Sequence, residues 1–84
     1  MPNQYDNIPL QRAQNGDEAA LAALVATYMP LIRRVARAAA SPGFDFDDAV
    51  QEGYIALFQA VRTYKEDRKA SFATYATVCV RNAI

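Results

Sequence analysis

Leu21, Leu24, Val25, Tyr28, Leu31, Ile32 and Val35 recur three and four positions apart. That spacing gathers them on one side of an α-helix, and such a stripe needs other apolar faces to cover it. The rest of the chain reads the same way, as helices separated by short polar breaks. A short helix is expected around Ile8 to Gln14, ended by Gly16, with Asp17 as the N-cap of the next. Pro30 falls inside the long run and removes a backbone donor. Because the apolar phase carries across it, a kink or close junction is expected there rather than a loop. Ser41-Pro42-Gly43 ends that segment. Asp45 then caps a third helix running to about Tyr64, with Asp47 and Asp48 in its first turn, where the helix dipole favours acids. Lys65 to Ala70 reads as a charged turn, and Ser71 caps a last helix expected to continue past Ile84. The fold class is therefore all-α, a small bundle of three to four helices. Residues 1–84 read as one domain, with 1–16 as a lead-in helix and 17–84 as its core, cut before its last helix ends.

Composition removes several function classes. With 84 residues the chain supports one small domain with a modest core. Apolar residues make up 52%, too many for a disordered tail. Arg33, Arg34 and Arg37 interrupt the best candidate for a membrane span, so no membrane association is expected. The first residues lack the basic and apolar stretches of a signal peptide. Cys79 is the only cysteine and there is no histidine. An internal disulfide, a structural zinc site and a histidine-based triad are thus unavailable. A reducing, cytoplasmic setting is inferred, and neither metal nor cofactor is expected.

The zero net charge conceals an uneven distribution. From Met1 to Val61 seven acids face four arginines; from Arg62 to Ile84 five bases face two acids. A basic end can offer a nucleic-acid surface although the sum vanishes, but an ordinary mixed surface has the same composition.

At 100° per residue, Val50, Leu57 and Val61 share one face of the third helix, with Gly53, Tyr54 and Ala60 at its edges. The opposite face carries Asp48, Gln51, Glu52, Gln59 and Arg62, and also Ile55 and Phe58. Large apolar residues among carboxylates and amides suit a protein-binding face. Two plainer readings stand beside it: Ile55 and Phe58 pack under another helix of the domain, and the acids only complement the dipole. On the last helix Phe72, Ala76, Cys79 and Ala83 form one stripe. Tyr75, Val78 and Asn82 form another about 90° away, flanked by Thr74 and Arg81 and preceded by Arg68 and Lys69. An aromatic ring, an amide and nearby cations suit a stacked, unpaired base with phosphate contacts around it. The plainer reading makes Tyr75 a half-buried structural tyrosine.

Two strings bear on that choice. Asp48-x-x-Gln51-Glu52-Gly53, and then Phe72-Ala73-Thr74-Tyr75-Ala76-Thr77, resemble in order and spacing region 2 of the bacterial sigma-70 family of RNA polymerase sigma factors. Arg81-Asn82-Ala83-Ile84 resembles the segment that follows in that family. The resemblance covers roughly Leu24 to Ile84. It implies a region 2-like helical fold and a role in transcription initiation. Asp48, Gln51, Glu52, Tyr54, Ile55 and Phe58 would bind the clamp helices of the largest subunit of core RNA polymerase. Tyr75 would stack on a flipped base of the minus-ten element, mainly on the non-template strand. Arg68, Lys69, Thr74, Val78, Arg81 and Asn82 would contact the DNA around it. Val78 and Cys79 stand where primary sigma factors carry a tryptophan pair, which points to an alternative sigma factor. Asn82 replaces the family's glutamine and is one methylene shorter. An anti-sigma factor is a further candidate partner. The function implied is non-enzymatic: polymerase binding with recognition and melting of the minus-ten element. A helical interaction module that binds polymerase or a regulator without touching DNA is the alternative, and a small helical enzyme is a weaker one.

Overall fold

Helix starts and stops follow the local chemistry of the chain. The computed structural model describes residues 10–65 and 70–84. Helix α1 occupies residues 10–14 of the described chain. It ends in a Schellman turn: the Gly16 N–H donates to the Ala13 carbonyl and the Asp17 N–H to the Arg12 carbonyl, at 3.1 and 2.9 Å. The turn requires a left-handed residue, and Gly16 takes φ 95°. Asp17 then caps α2 (Glu18–Ala39), its carboxylate accepting from the Ala20 N–H at 3.1 Å. A tight turn at Ser41–Phe44, closed by two backbone hydrogen bonds, leads to Asp45 and α3 (Phe46–Thr63). Asp45 stands at the N-cap position with no side-chain cap hydrogen bond. Ser71 caps α4 (Phe72–Ala83), accepting from the Thr74 N–H at 3.2 Å. The described part is all-α.

Pro30 neither splits α2 nor forms a junction; the helix is continuous through it. The carbonyl that Pro30 cannot serve belongs to Ala26, and both residues are exposed, so water can satisfy it. By length and composition alone α2 is also long and apolar enough to cross a membrane, contrary to the expectation from its arginines. Its Leu24, Ile32 and Ala36 are instead buried in the core.

The core joins Leu10 of α1, Leu24 and Ile32 of α2, Ala56, Leu57, Ala60 and Val61 of α3, Tyr64, and Phe72, Ala76 and Val80 of α4. Two stripes differ from the sequence reading. On α3 the buried face is Ala49, Gly53, Ala56, Leu57, Ala60 and Val61, while Val50 is only half-buried. The side chains at its centre are small because α3 lies between α2 and α4 and must approach both closely. On α4 Ala76 and Val80 are both fully buried, and Ala83 is exposed. The stripe is Phe72-Ala76-Val80, a strict four-residue repeat, with Cys79 at its margin.

Gly53 marks the closest approach. A Cβ there would lie 2.9 Å from Ile32 Cγ2 and 2.9 Å from Ile84 Cδ1. The Ile84 methyl can swing aside, but Ile32 is fully buried and branched at Cβ. Overpacking costs about 1–3 kcal/mol, and removing a helical glycine returns about 1 kcal/mol. Gly53→Ala should therefore lose about 1 kcal/mol net. Gly53→Val should lose about 2 kcal/mol or more, having a bulkier side chain and a smaller propensity gain. Urea unfolding checks this; a Gly53→Val protein as stable as the parent would mean that the α2–α3 contact yields freely.

Candidate functional site

Two surfaces on α3 and α4 carry the residues singled out by sequence. The first is the outer face of α3 from Asp48 to Phe58. Asp48, Gln51, Glu52 and Ile55 are all exposed there, Ile55 by 50%. Phe58 and Tyr54 are half-buried and pack on each other, ring centroids 4.8 Å apart and tilted by 55°. This pair packs within α3 itself, at i and i+4. The face thus offers two carboxylates, an amide, an exposed branched aliphatic and a preassembled aromatic pair.

The second surface is an open cleft of about 680 Å³ between α3 and α4. Gln59, Arg62 and Thr63 line it from α3, and Tyr75, Cys79 and Asn82 from α4. Its floor is apolar, formed by Ala56 and Ala60. Of the residues assigned to DNA by sequence, the cleft unites Tyr75 and Asn82. Thr74 and Val78 are exposed on α4 outside it, Val78 by 50%. Arg81 is directed elsewhere: with Arg34 it borders a smaller, mostly apolar hollow of about 370 Å³ lined by Val35, Ala38, Ala39 and Ile84. Arg68 and Lys69 lie outside the described residues.

Gln59, Arg62 and Thr63 were missed as members of the Tyr75 site. They sit at i, i+3 and i+4 at the end of α3, and that spacing marks one polar patch. Nothing in the local sequence says that α4 folds back beside it.

Tyr75 is not the freely projecting ring that its helical phase suggested. It is half-buried and packs against the core. Its centroid is 5.5 Å from that of Tyr64, with the rings tilted by 49°. Tyr64 in turn meets Phe72 edge-on at 5.4 Å, and Phe72 meets Tyr28 edge-on at 5.6 Å. A chain of four rings thus runs from α2 through the core to the cleft. The Tyr75 hydroxyl is 2.8 Å from Thr63 Oγ1. Thr63 donates its single hydroxyl proton to the Gln59 carbonyl at 2.8 Å. Tyr75 is therefore the donor to Thr63.

An aromatic ring beside an amide and a guanidinium, over an apolar floor, is suited to holding a flat heteroaromatic ring. Arg62 supplies charge at the mouth of the cleft for an anionic group.

A family model of sigma-70 region 2 matches residues 24–84. The RNA polymerase sigma-H factor of Bacillus subtilis is 35% identical over 79 residues, covering 94% of this chain and 36% of that protein. Sigma-H of Bacillus licheniformis is 34% identical over 79 residues, covering 94% and 35% respectively. The RNA polymerase sigma-E factor of Clostridium acetobutylicum is 33% identical over 70 residues, covering 83% and 30%. The chain thus spans about a third of the length of these curated relatives. With the match covering α3, α4 and both surfaces just described, the chain belongs to the sigma-70 region 2 family.

Proposed function

We propose that this domain acts in transcription initiation, binding core RNA polymerase through α3 and helping to open the minus-ten element of promoter DNA through the α3–α4 cleft. The observation that carries this reading is the union of Tyr75 and Asn82 with Arg62 in one cleft. Tyr75 presents ring surface to a flipped base, the amides of Asn82 and Gln59 can meet its polar edge, and Arg62 can meet a phosphate. Flipping a base costs a few kcal/mol, and one aromatic stack returns roughly 1–3 kcal/mol. The domain therefore does not open DNA alone; polymerase contributes positioning and further contacts. Thr74, Val78, Arg81, Arg68 and Lys69 would contact the strand around the cleft. Val78, in place of a tryptophan, supplies a smaller wedge, consistent with an alternative sigma factor. The role is non-enzymatic and cytoplasmic, with residues 1–84 acting as one domain and an anti-sigma factor as a candidate regulator.

On the partner face, Asp48, Glu52 and Gln51 would meet basic and polar groups on the clamp helices of the largest polymerase subunit. Ile55 and the Tyr54–Phe58 pair would supply the desolvated anchor. Gln51→Ala and Phe58→Ala should each weaken binding to core polymerase by about tenfold. Far-UV circular dichroism and the melting temperature should stay close to the parent's. Unfolding by Phe58→Ala would instead make Phe58 a core residue and remove it from the interface. A minus-ten single strand bound to the assembled holoenzyme separates this function from polymerase binding without DNA contact.

A further inference from the structure

We propose that Gln14 is a positioning residue for promoter opening, a latch that holds the end of α3 so that Tyr75 is presented to the cleft. The proposal rests on the reading of Tyr75 as the base-stacking residue and adds a group remote from the DNA.

Gln14 lies on α1, 47 residues before Val61 and 50 before Tyr64. Its side-chain amide donates both protons, to the Val61 carbonyl at 2.9 Å and to the Tyr64 carbonyl at 3.0 Å. Both partners are acceptors, which sets the orientation of the amide. Val61 belongs to the last turn of α3 and Tyr64 is its C-cap. Helix carbonyls there lack intrahelical donors and carry the negative end of the dipole. Leu10, fully buried in the core, anchors α1 beside them.

The clamped segment, residues 61–64, holds two contacts of Tyr75. Thr63 accepts the Tyr75 hydroxyl proton, and Tyr64 packs against the Tyr75 ring. Tyr64 is fixed at both ends, its carbonyl by Gln14 and its hydroxyl by donation to the Ala70 carbonyl at 2.9 Å. Ala70 immediately precedes the cap of α4. One amide on α1 therefore sets the Thr63–Tyr64 step, and that step sets both the tilt and the hydroxyl of Tyr75. None of this geometry touches the acidic face of α3.

The test uses Gln14→Ala, Gln14→Glu and Gln14→Arg in the intact protein assembled with core polymerase. Losing two hydrogen bonds should lower open-complex formation about fivefold to tenfold in Gln14→Ala, with polymerase affinity within about twofold. Gln14→Glu should fall below Gln14→Ala, because a carboxylate cannot donate and opposes the dipole. Gln14→Arg should recover most of the activity, because a guanidinium donates and is cationic. Aromatic NMR signals of Tyr64 and Tyr75 in the protein without polymerase should shift in Gln14→Ala and return toward the parent's in Gln14→Arg. Equal behaviour of all three variants, or unmoved Tyr64 and Tyr75 signals, would overturn the latch. If Tyr75→Ala leaves opening unchanged while the signals follow this order, the base-stacking reading fails and takes the role of Gln14 in opening with it, and Gln14 holds Tyr64 and Tyr75 for structure alone.

Discussion

Phe72→Ala should cost about 3–5 kcal/mol of folding stability, the usual range for truncating a buried phenylalanine. Phe72 is nearly inaccessible and meets Tyr28 and Tyr64 edge-on, so it couples α2, the end of α3 and the start of α4. A domain of 84 residues has roughly 4–13 kcal/mol in total at the usual stability per residue. The substitution thus removes a large share. The melting temperature followed by far-UV circular dichroism should fall by at least about 12 °C, at 4–8 °C per kcal/mol for a domain of this size. A fall of only a few degrees would mean that Tyr28 and Tyr64 collapse into the space left behind, so that the four-ring chain is not a rigid unit.

Tyr75→Ala should separate folding from function where Phe72→Ala cannot. Its ring ends the aromatic chain at the mouth of the cleft, and its loss leaves Tyr64 still packed on Phe72. In the assembled holoenzyme, open-complex formation should drop by about 1–3 kcal/mol, the range of a single base–aromatic stack. Binding to polymerase should change little, since Tyr75 lies on α4 and none of Asp48, Gln51, Glu52, Ile55 or Phe58 lines its cleft. Tyr75→Val should behave like alanine. Tyr75→Phe keeps the ring but loses the hydrogen bond to Thr63, so a smaller loss of about 1 kcal/mol or less is expected. Permanganate reactivity of unpaired thymines reads the opening, with polymerase affinity measured in parallel. Wild-type opening by Tyr75→Ala would make Tyr75 structural and leave the cleft without its stacking surface.

Helix identity was legible in the chain because caps and breaks are local. Asp17, Ser71 and Gly16 each act within a few residues, and their hydrogen bonds close as the sequence implies. The exposed run of Asp48, Gln51, Glu52 and Ile55 was legible for the same reason, since a single helix sets its own angular order.

What the sequence could not determine was how the faces meet. Helical phase alone put Ala83 in the core and left Val80 out, because burial depends on where α3 crosses α4 and not on spacing. It treated the ring of Tyr75 as free, because its partners Thr63 and Tyr64 arrive from another helix end. Gln14 read only as the last residue before a turn, and its two acceptors lie 47 and 50 positions away. Local hydrogen bonds and helical periodicity follow from covalent geometry and were therefore written in the chain. The cleft, the aromatic chain and the α1 latch depend on side chains distant in sequence filling one space, and only tertiary packing brings those together.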